Sequence, residues 1–157
     1  MAICEAVDQS THETFMREAI IQAAKASAYG DVPIGAVIVK DGKVIGRGAN
    51  RSEFDRDPTQ HAEIIAIKEA AKHVGNHRLT GCCMYVTAEP CTMCAGACVL
   101  ARLDAVYAGT KSPKSGAAGS VKDILNEPGL NHRLHYESGI LSEECASLLS
   151  DFFKGLR

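Results

Sequence analysis

Two short segments of this chain hold the residue types of a metal-dependent hydrolytic site. The first is His61-Ala62-Glu63. The second, thirty positions on, is Pro90-Cys91-Thr92-Met93-Cys94. Cys91 and Cys94 are three apart, so on a helix they share a face. In the first turn of a helix the positive end of the dipole favours thiolates. One imidazole and two thiolates form a zinc ligand set, and three protein ligands leave the fourth tetrahedral position for water, the mark of a catalytic site. Zinc lowers the pKa of such a water toward about 7. Glu63 is two residues from His61 and therefore not on the same face of a regular helix, so it is not expected to ligate beside it. At a helix start its carboxylate can still reach a site beyond the helix end, where a proton shuttle is needed. Asn50, closing a predicted strand, is the third position singled out, although an Asn there is more often a turn residue.

The other cysteines and histidines read as structural. A Cys-x-x-Cys pair also suits redox chemistry or plain packing, but here it is matched by a His-x-Glu. Cys98, one turn past Cys94, lies in the apolar run Ala97-Cys98-Val99-Leu100 and reads as core. Cys82 and Cys83 open a strand and face opposite sides. Cys145 sits in an apolar helical stripe, and Cys4 near the start of the chain. His12, His73 and His77 fall near predicted helix ends, where solvated or capping roles are expected. His135 alternates with polar neighbours like an exposed strand residue, and His132 has no evident ligand partner. Gly42, Gly46 and Gly48 form no phosphate-binding fingerprint.

The elements that must position these residues alternate. Ser10 with Glu13 reads as a capping box, followed by a helix to about Ala28. Asp31-Val32-Pro33 ends it. Gly35 to Val39 and Lys43 to Ala49 are strands joined at Asp41-Gly42, a strong hairpin signal. Asp57-Pro58-Thr59-Gln60 predicts an Asp-capped helix carrying Ile64, Ile65, Ile67, Ala70 and Ala71 and closing at Gly75. Cys82 to Thr87 is a strand, and Glu89-Pro90-Cys91 opens a helix to about Ala101. Ala105 to Ala108 is a strand, Thr110 to Ser120 a polar loop, and Val121 to Leu125 a predicted helix. Arg133 to Glu137 reads as an edge strand, and Ser142 opens a last helix carrying Cys145, Leu148, Leu149, Phe152 and Phe153. Such alternation argues for a three-layer α/β/α domain, and the early hairpin makes its sheet mixed.

The chain's 157 residues fit one domain, 1–157. With 46% hydrophobic and 23% charged residues the composition is that of a globular protein, which excludes disorder. No run approaches the roughly 18 apolar residues of a membrane span, and the start lacks the basic region of a signal peptide. Seven cysteines cannot all pair, so reduced thiols in the cytoplasm are the expectation. The net charge of −2 means that any contact with nucleic acid is made by a local patch rather than by global attraction.

The paired motif is similar to that of the zinc-dependent cytidine-deaminase-like superfamily. The flanking text, Val32 to Val37, Asn50, Asp57-Pro58-Thr59, Leu79 to Pro90, Lys114 to Ser120, Asn131-His132-Arg133 and Phe152-Phe153, resembles the bacterial tRNA-specific adenosine deaminases over nearly the whole chain after about Thr14. The resemblance implies a five-stranded sheet flanked by helices and deamination of the wobble adenosine of an arginine tRNA to inosine by a homodimer. It implies zinc, one per subunit, on His61, Cys91 and Cys94, with Glu63 as general acid and base. Asn50 would hold the flipped purine, Ile34 and Ala62 would line its pocket, and Ser112 and Lys114 would meet the RNA. Many members have Asp where this chain has Ser112, which bears on the ribose contact. Lys111, Lys114, Arg133, Lys154 and Arg157 are candidate phosphate contacts, and RNA loops with splayed bases are the kind of target expected. Two other readings compete: a deaminase of a free base or nucleoside, of guanine or cytosine type, and a non-catalytic zinc module that binds a partner.

Overall fold

The computed structural model describes residues 7–156, so Cys4 and Arg157 lie outside the described residues. Helix α1 (Gln9–Ala28) is capped by Asp8, whose carboxylate accepts from the Thr11 N–H at 2.9 Å. The expected Ser10–Glu13 box therefore lies two residues too far in, and the Ser10 carbonyl instead accepts from the Thr14 hydroxyl. Strands β1 (Gly35–Lys40) and β2 (Lys43–Ala49) meet at Asp41-Gly42, both at positive φ (50° and 76°). Two positive φ values in a row match the strands' own twist.

Next comes a single turn that the sequence pattern did not reveal, α2 (Ser52–Asp55). It is held from outside: the buried carboxylate of Asp31 accepts from the N–H groups of Glu53 and Phe54 at 2.8 and 3.0 Å. Asp57 does not cap the next helix. Its carboxylate accepts from the N–H and hydroxyl of Thr59, and the N-cap of α3 (Ala62–Val74) is His61, four residues later. Strand β3 (Cys82–Ala88), helix α4 (Thr92–Leu100) and strand β4 (Ala105–Thr110) follow as the sequence predicts. The expected helix over 121–125 is absent. Val121 and Lys122 donate to the Gly116 carbonyl, and Ala118 bridges Asp123, so that stretch is folded back on the preceding loop. Strand β5 (His135–Ser138) forms the edge, and α5 (Ser142–Gly155) begins at the expected residue.

The sheet order is β2-β1-β3-β4-β5, with β1 antiparallel to β2 and β3, and β4 parallel to β3 and β5. This is the mixed five-stranded sheet expected. Strand β3 is central and buried throughout. Its alternate residues feed two cores: Cys82, Met84 and Val86 pack with Ala66, Ala70, Ala95 and Cys98 under α3 and α4, while Cys83 and Tyr85 pack with Met16, Ala19 and Cys145 under α1 and α5. Cys82, Cys91, Cys94, Cys98 and Cys145 are free thiols. On β2 a side chain at Gly46 would collide with the Ala66 carbonyl and one at Gly48 with that of Ala62, so α3 lies directly on the strand. That close approach sets the start of α3 beside Asn50, which follows β2.

Candidate active site

The carboxyl ends of β3 and β4, the end of β2 and the start of β1 meet at one edge of the sheet, where open α/β sheets place their ligands. Helices α3 and α4 both begin there. Each has an unusual N-cap, His61 and Cys91, and neither cap side chain makes a capping hydrogen bond. The common caps Ser, Thr, Asp and Asn satisfy that turn themselves; these two residues are left to face each other across the gap. The His61 Nδ1 lies 3.6 Å from the Cys91 Sγ and 3.5 Å from the Cys94 Sγ. The three donor atoms all fall within 4.8 Å of one another, and among the described residues no other group of three or more His, Cys, Asp and Glu residues is gathered this closely. A tetrahedral zinc with Zn–S near 2.3 Å and Zn–N near 2.0 Å separates such donors by roughly 3.5 Å. The donor set and its spacing therefore fit zinc. Cys98 packs in the core instead.

The electrostatics suit a cation. Hydrogen bonds from Cys94 and then His61 push the Cys91 thiol down to about 3, which makes it a thiolate, and the same thiolate raises the pKa of His61. Bonding to Cys91, followed by burial, pushes the Cys94 thiol up. Glu63, one residue into α3, is 4% exposed, and burial raises its carboxyl. A carboxyl raised toward neutrality can both hold and release a proton at working pH.

These groups open into a cavity of about 240 Å³. This is below the ~300–1,000 Å³ of sites for drug-sized ligands, so it suits a single ring system. Ile34, Asn50, His61, Ala62, Glu63, Cys91 and Ser112 line it. Asn50 is held by its Nδ2 donating to the Val32 carbonyl at 3.3 Å and its Oδ1 accepting from Ser52 at 2.9 Å. One amide hydrogen and one lone pair remain for a ligand. Lys114, expected at the substrate, is exposed and does not line the cavity; its neighbour Ser115 does. Lys111, Arg133 and Lys154 are exposed as well.

Val32, Ser52 and Glu89 also line the cavity, and sequence reasoning passed over them. Glu89 is the instructive one. Its carboxylate accepts from the N–H groups of Ser112 (3.2 Å), Ala118 (2.9 Å) and Ser120 (3.0 Å) and from the Ser120 hydroxyl. Burial opposes its ionisation, but these bonds outweigh burial and hold its pKa below the usual range. The Ser112 hydroxyl donates to the Glu89 carbonyl at 2.9 Å, so Ser112 is first a part of this loop anchor. The repeated Gly and Ser of the loop were the available signal.

A family model, the cytidine and deoxycytidylate deaminase zinc-binding region, matches residues 9–110. The tRNA-specific adenosine deaminase of Bacillus subtilis is 47% identical over 145 residues, covering 92% of this chain and 90% of the relative. That of Aquifex aeolicus is also 47% identical, covering 92% and 95%. A solved structure from work on A-to-I editing by tRNA:A34 deaminases superposes with a TM-score of 0.84 at 43% identity, covering 87% of this chain and 99% of the other. A solved guanine deaminase from Nitrosomonas europaea, 22% identical, shares the fold with a TM-score of 0.78, covering 89% and 83%. With two helix caps gathered at one point and its sequence aligned almost end to end with these relatives, the chain belongs to the zinc-binding cytidine and deoxycytidylate deaminase family, among the tRNA-specific adenosine deaminases.

Proposed function

We propose that the chain, acting as one catalytic domain, hydrolyses the exocyclic C–N bond of the wobble adenosine in a tRNA, giving inosine and ammonia. The observation that carries this reading is the three-donor cluster with Glu63 in the same cavity. Zinc, held by His61, Cys91 and Cys94, supplies a water activated near neutral pH. Glu63 would take the proton that this water loses and pass it to the purine ring as the water oxygen bonds the amine-bearing carbon; it would then carry that oxygen's remaining proton to the amine, so that the C–N bond breaks, ammonia leaves and a carbonyl remains. Asn50 holds the purine through its remaining amide hydrogen and lone pair. Ile34 and Ala62 give the ring apolar walls. An unpaired loop base enters such a cavity at least cost, because flipping a base out of a duplex takes a few kcal/mol.

The test is inosine at the wobble position of tRNA incubated with the zinc-loaded protein, run beside free guanine, cytidine and adenosine. Turnover of the free compounds alone would overturn the tRNA reading in favour of a base or nucleoside deaminase. An arginine tRNA is the first substrate to try. Lys111, Lys114, Arg133 and Lys154 are exposed and available to phosphates. We also propose that the protein acts in the cytoplasm as a homodimer. Among the described residues no helix is long and apolar enough to cross a membrane. Leu100, 78% exposed at the end of α4, borders a groove with Val99 and Leu130 and offers apolar surface to a second copy. A single-subunit mass in light scattering would refute the dimer.

A further inference from the structure

Beside the cavity stands a ledge of aromatic rings and a guanidinium group that the chemistry above does not use. Tyr29 directly follows α1, and Phe54 lies in the one-turn α2. Their ring centroids are 5.2 Å apart at 42°, yet the residues are 43% and 57% exposed. Arg51 packs over both, with its guanidinium carbon 5.0 Å from the Tyr29 centroid and 4.6 Å from that of Phe54. Asp55 fixes the guanidinium with two bonds of 3.0 Å, and Gln60 donates to the same carboxylate at 2.8 Å. The backbone beneath is pinned by the buried Asp31. The ledge is continuous with the cavity: Asn50 and Ser52, on either side of Arg51, line it, as does Val32, three residues past Tyr29.

We infer that this ledge stacks a nucleobase adjoining the extruded adenosine of the RNA loop. The inference rests on the proposed RNA substrate and names a contact for it. A base that leaves its stack for the cavity strips its neighbours of stacking, and splayed single-stranded bases are held on aromatic rings and guanidinium planes. Rings already fixed need little further ordering on binding. The Arg51 charge is answered by Asp55, so the ledge is a stacking surface rather than a phosphate clamp, and its contribution does not follow salt as phosphate contacts do.

The experiment is a coupling cycle on the zinc-loaded enzyme. Deamination of a wobble-adenosine anticodon stem-loop is compared with that of the same RNA made abasic immediately 5′ or 3′ of the target. Stacking on one aromatic is worth ~5- to 150-fold. Phe54→Ala and Tyr29→Ala are expected to raise KM about tenfold with kcat within about twofold. Phe54→Trp is expected to keep the wild-type KM, and on one of the two abasic RNAs Phe54→Ala and wild type are expected to converge. An equal Phe54→Ala penalty on all three RNAs, or none on any, overturns the proposal. A fall to monomer mass in Phe54→Ala overturns it too and assigns the ledge to a second copy of the chain. If wild type makes no inosine, the substrate reading fails by itself. The ledge is then judged by anisotropy of a labelled stem-loop, where unchanged binding by Phe54→Ala overturns it.

Discussion

Glu63 is not one of the three gathered donors, and it is too buried to be a surface charge. Replacing it with Gln keeps the shape and removes the proton carrier. Glu63→Gln is expected to keep its zinc and lose at least ~100-fold in turnover, measured as ammonia release beside metal content on the same sample. Equal turnover would leave a non-catalytic zinc module as the better reading. His61→Ala should separate from this by losing the metal itself, because two thiolates remain where three donors stood. These residues were legible in the sequence because their types are rare and their chemistry is spacing-dependent. The position of Lys114, exposed and outside the cavity lining, was not legible for the opposite reason: a lysine in a polar loop carries no signal of which way the loop folds. Ser112 was named for its difference from related chains, and its first partner, the Glu89 carbonyl, is visible only in three dimensions.

Among the elements, the loop after β4 shows what a sequence pattern cannot carry. Its Gly and Ser residues read only as a polar loop, yet it is wrapped around the buried Glu89 carboxylate. Gly116 is required by that arrangement, since a side chain there would meet the Glu89 carboxylate. Glu89→Gln turns an NH2 group toward backbone N–H donors and leaves some of them unpaired, at a cost of ~1–3 kcal/mol. At this chain length each kcal/mol lowers Tm by about 2–4 °C. The expected outcome is a Tm lower by several degrees and a KM for RNA raised severalfold, with zinc content unchanged. Gly116→Ala should reproduce it from the other side of the contact. A Tm drop with no change in KM would make Glu89 a stabilising residue that does not shape the cavity. The helix starts teach the same lesson. The Asp57-Pro58 signal pointed to a helix, but its local turn onto Thr59 was the stronger interaction and the helix began at His61. The capping residue was misread because the actual cap has no capping bond to recognise.

Across the whole molecule, the continuous apolar runs of β1, β3 and β4, set between helical segments, made the layers readable, while contacts between distant elements were not. His12 illustrates this. Its place near a helix start suggested a solvated ring, but α1 presses it against β3 and β4. There its Nδ1 shares a 2.7 Å hydrogen bond with the Tyr85 hydroxyl and its ring lies 4.3 Å from that of Tyr107. Burial lowers its pKa below the ordinary 6.5; Glu137 and Asp8 pull it up and His135 pushes it down, but burial prevails. The native state therefore binds fewer protons than the unfolded chain in the window just below pH 6.5, and stability there rises with pH. Conversely, stability is lost as pH falls from about 6.5 toward the depressed native value, and no further below it. Thermal unfolding of the zinc-saturated protein between about pH 7.5 and pH 5.5 should show this loss. His12→Phe, which keeps a ring in the same slot, should be less stable at pH 7.5 because the Tyr85 hydroxyl loses its partner, but its Tm should fall less steeply with acid. Zinc release by the ligands affects both proteins alike, so the difference between the two slopes isolates His12, and parallel slopes would show that its ring is not held neutral by the fold.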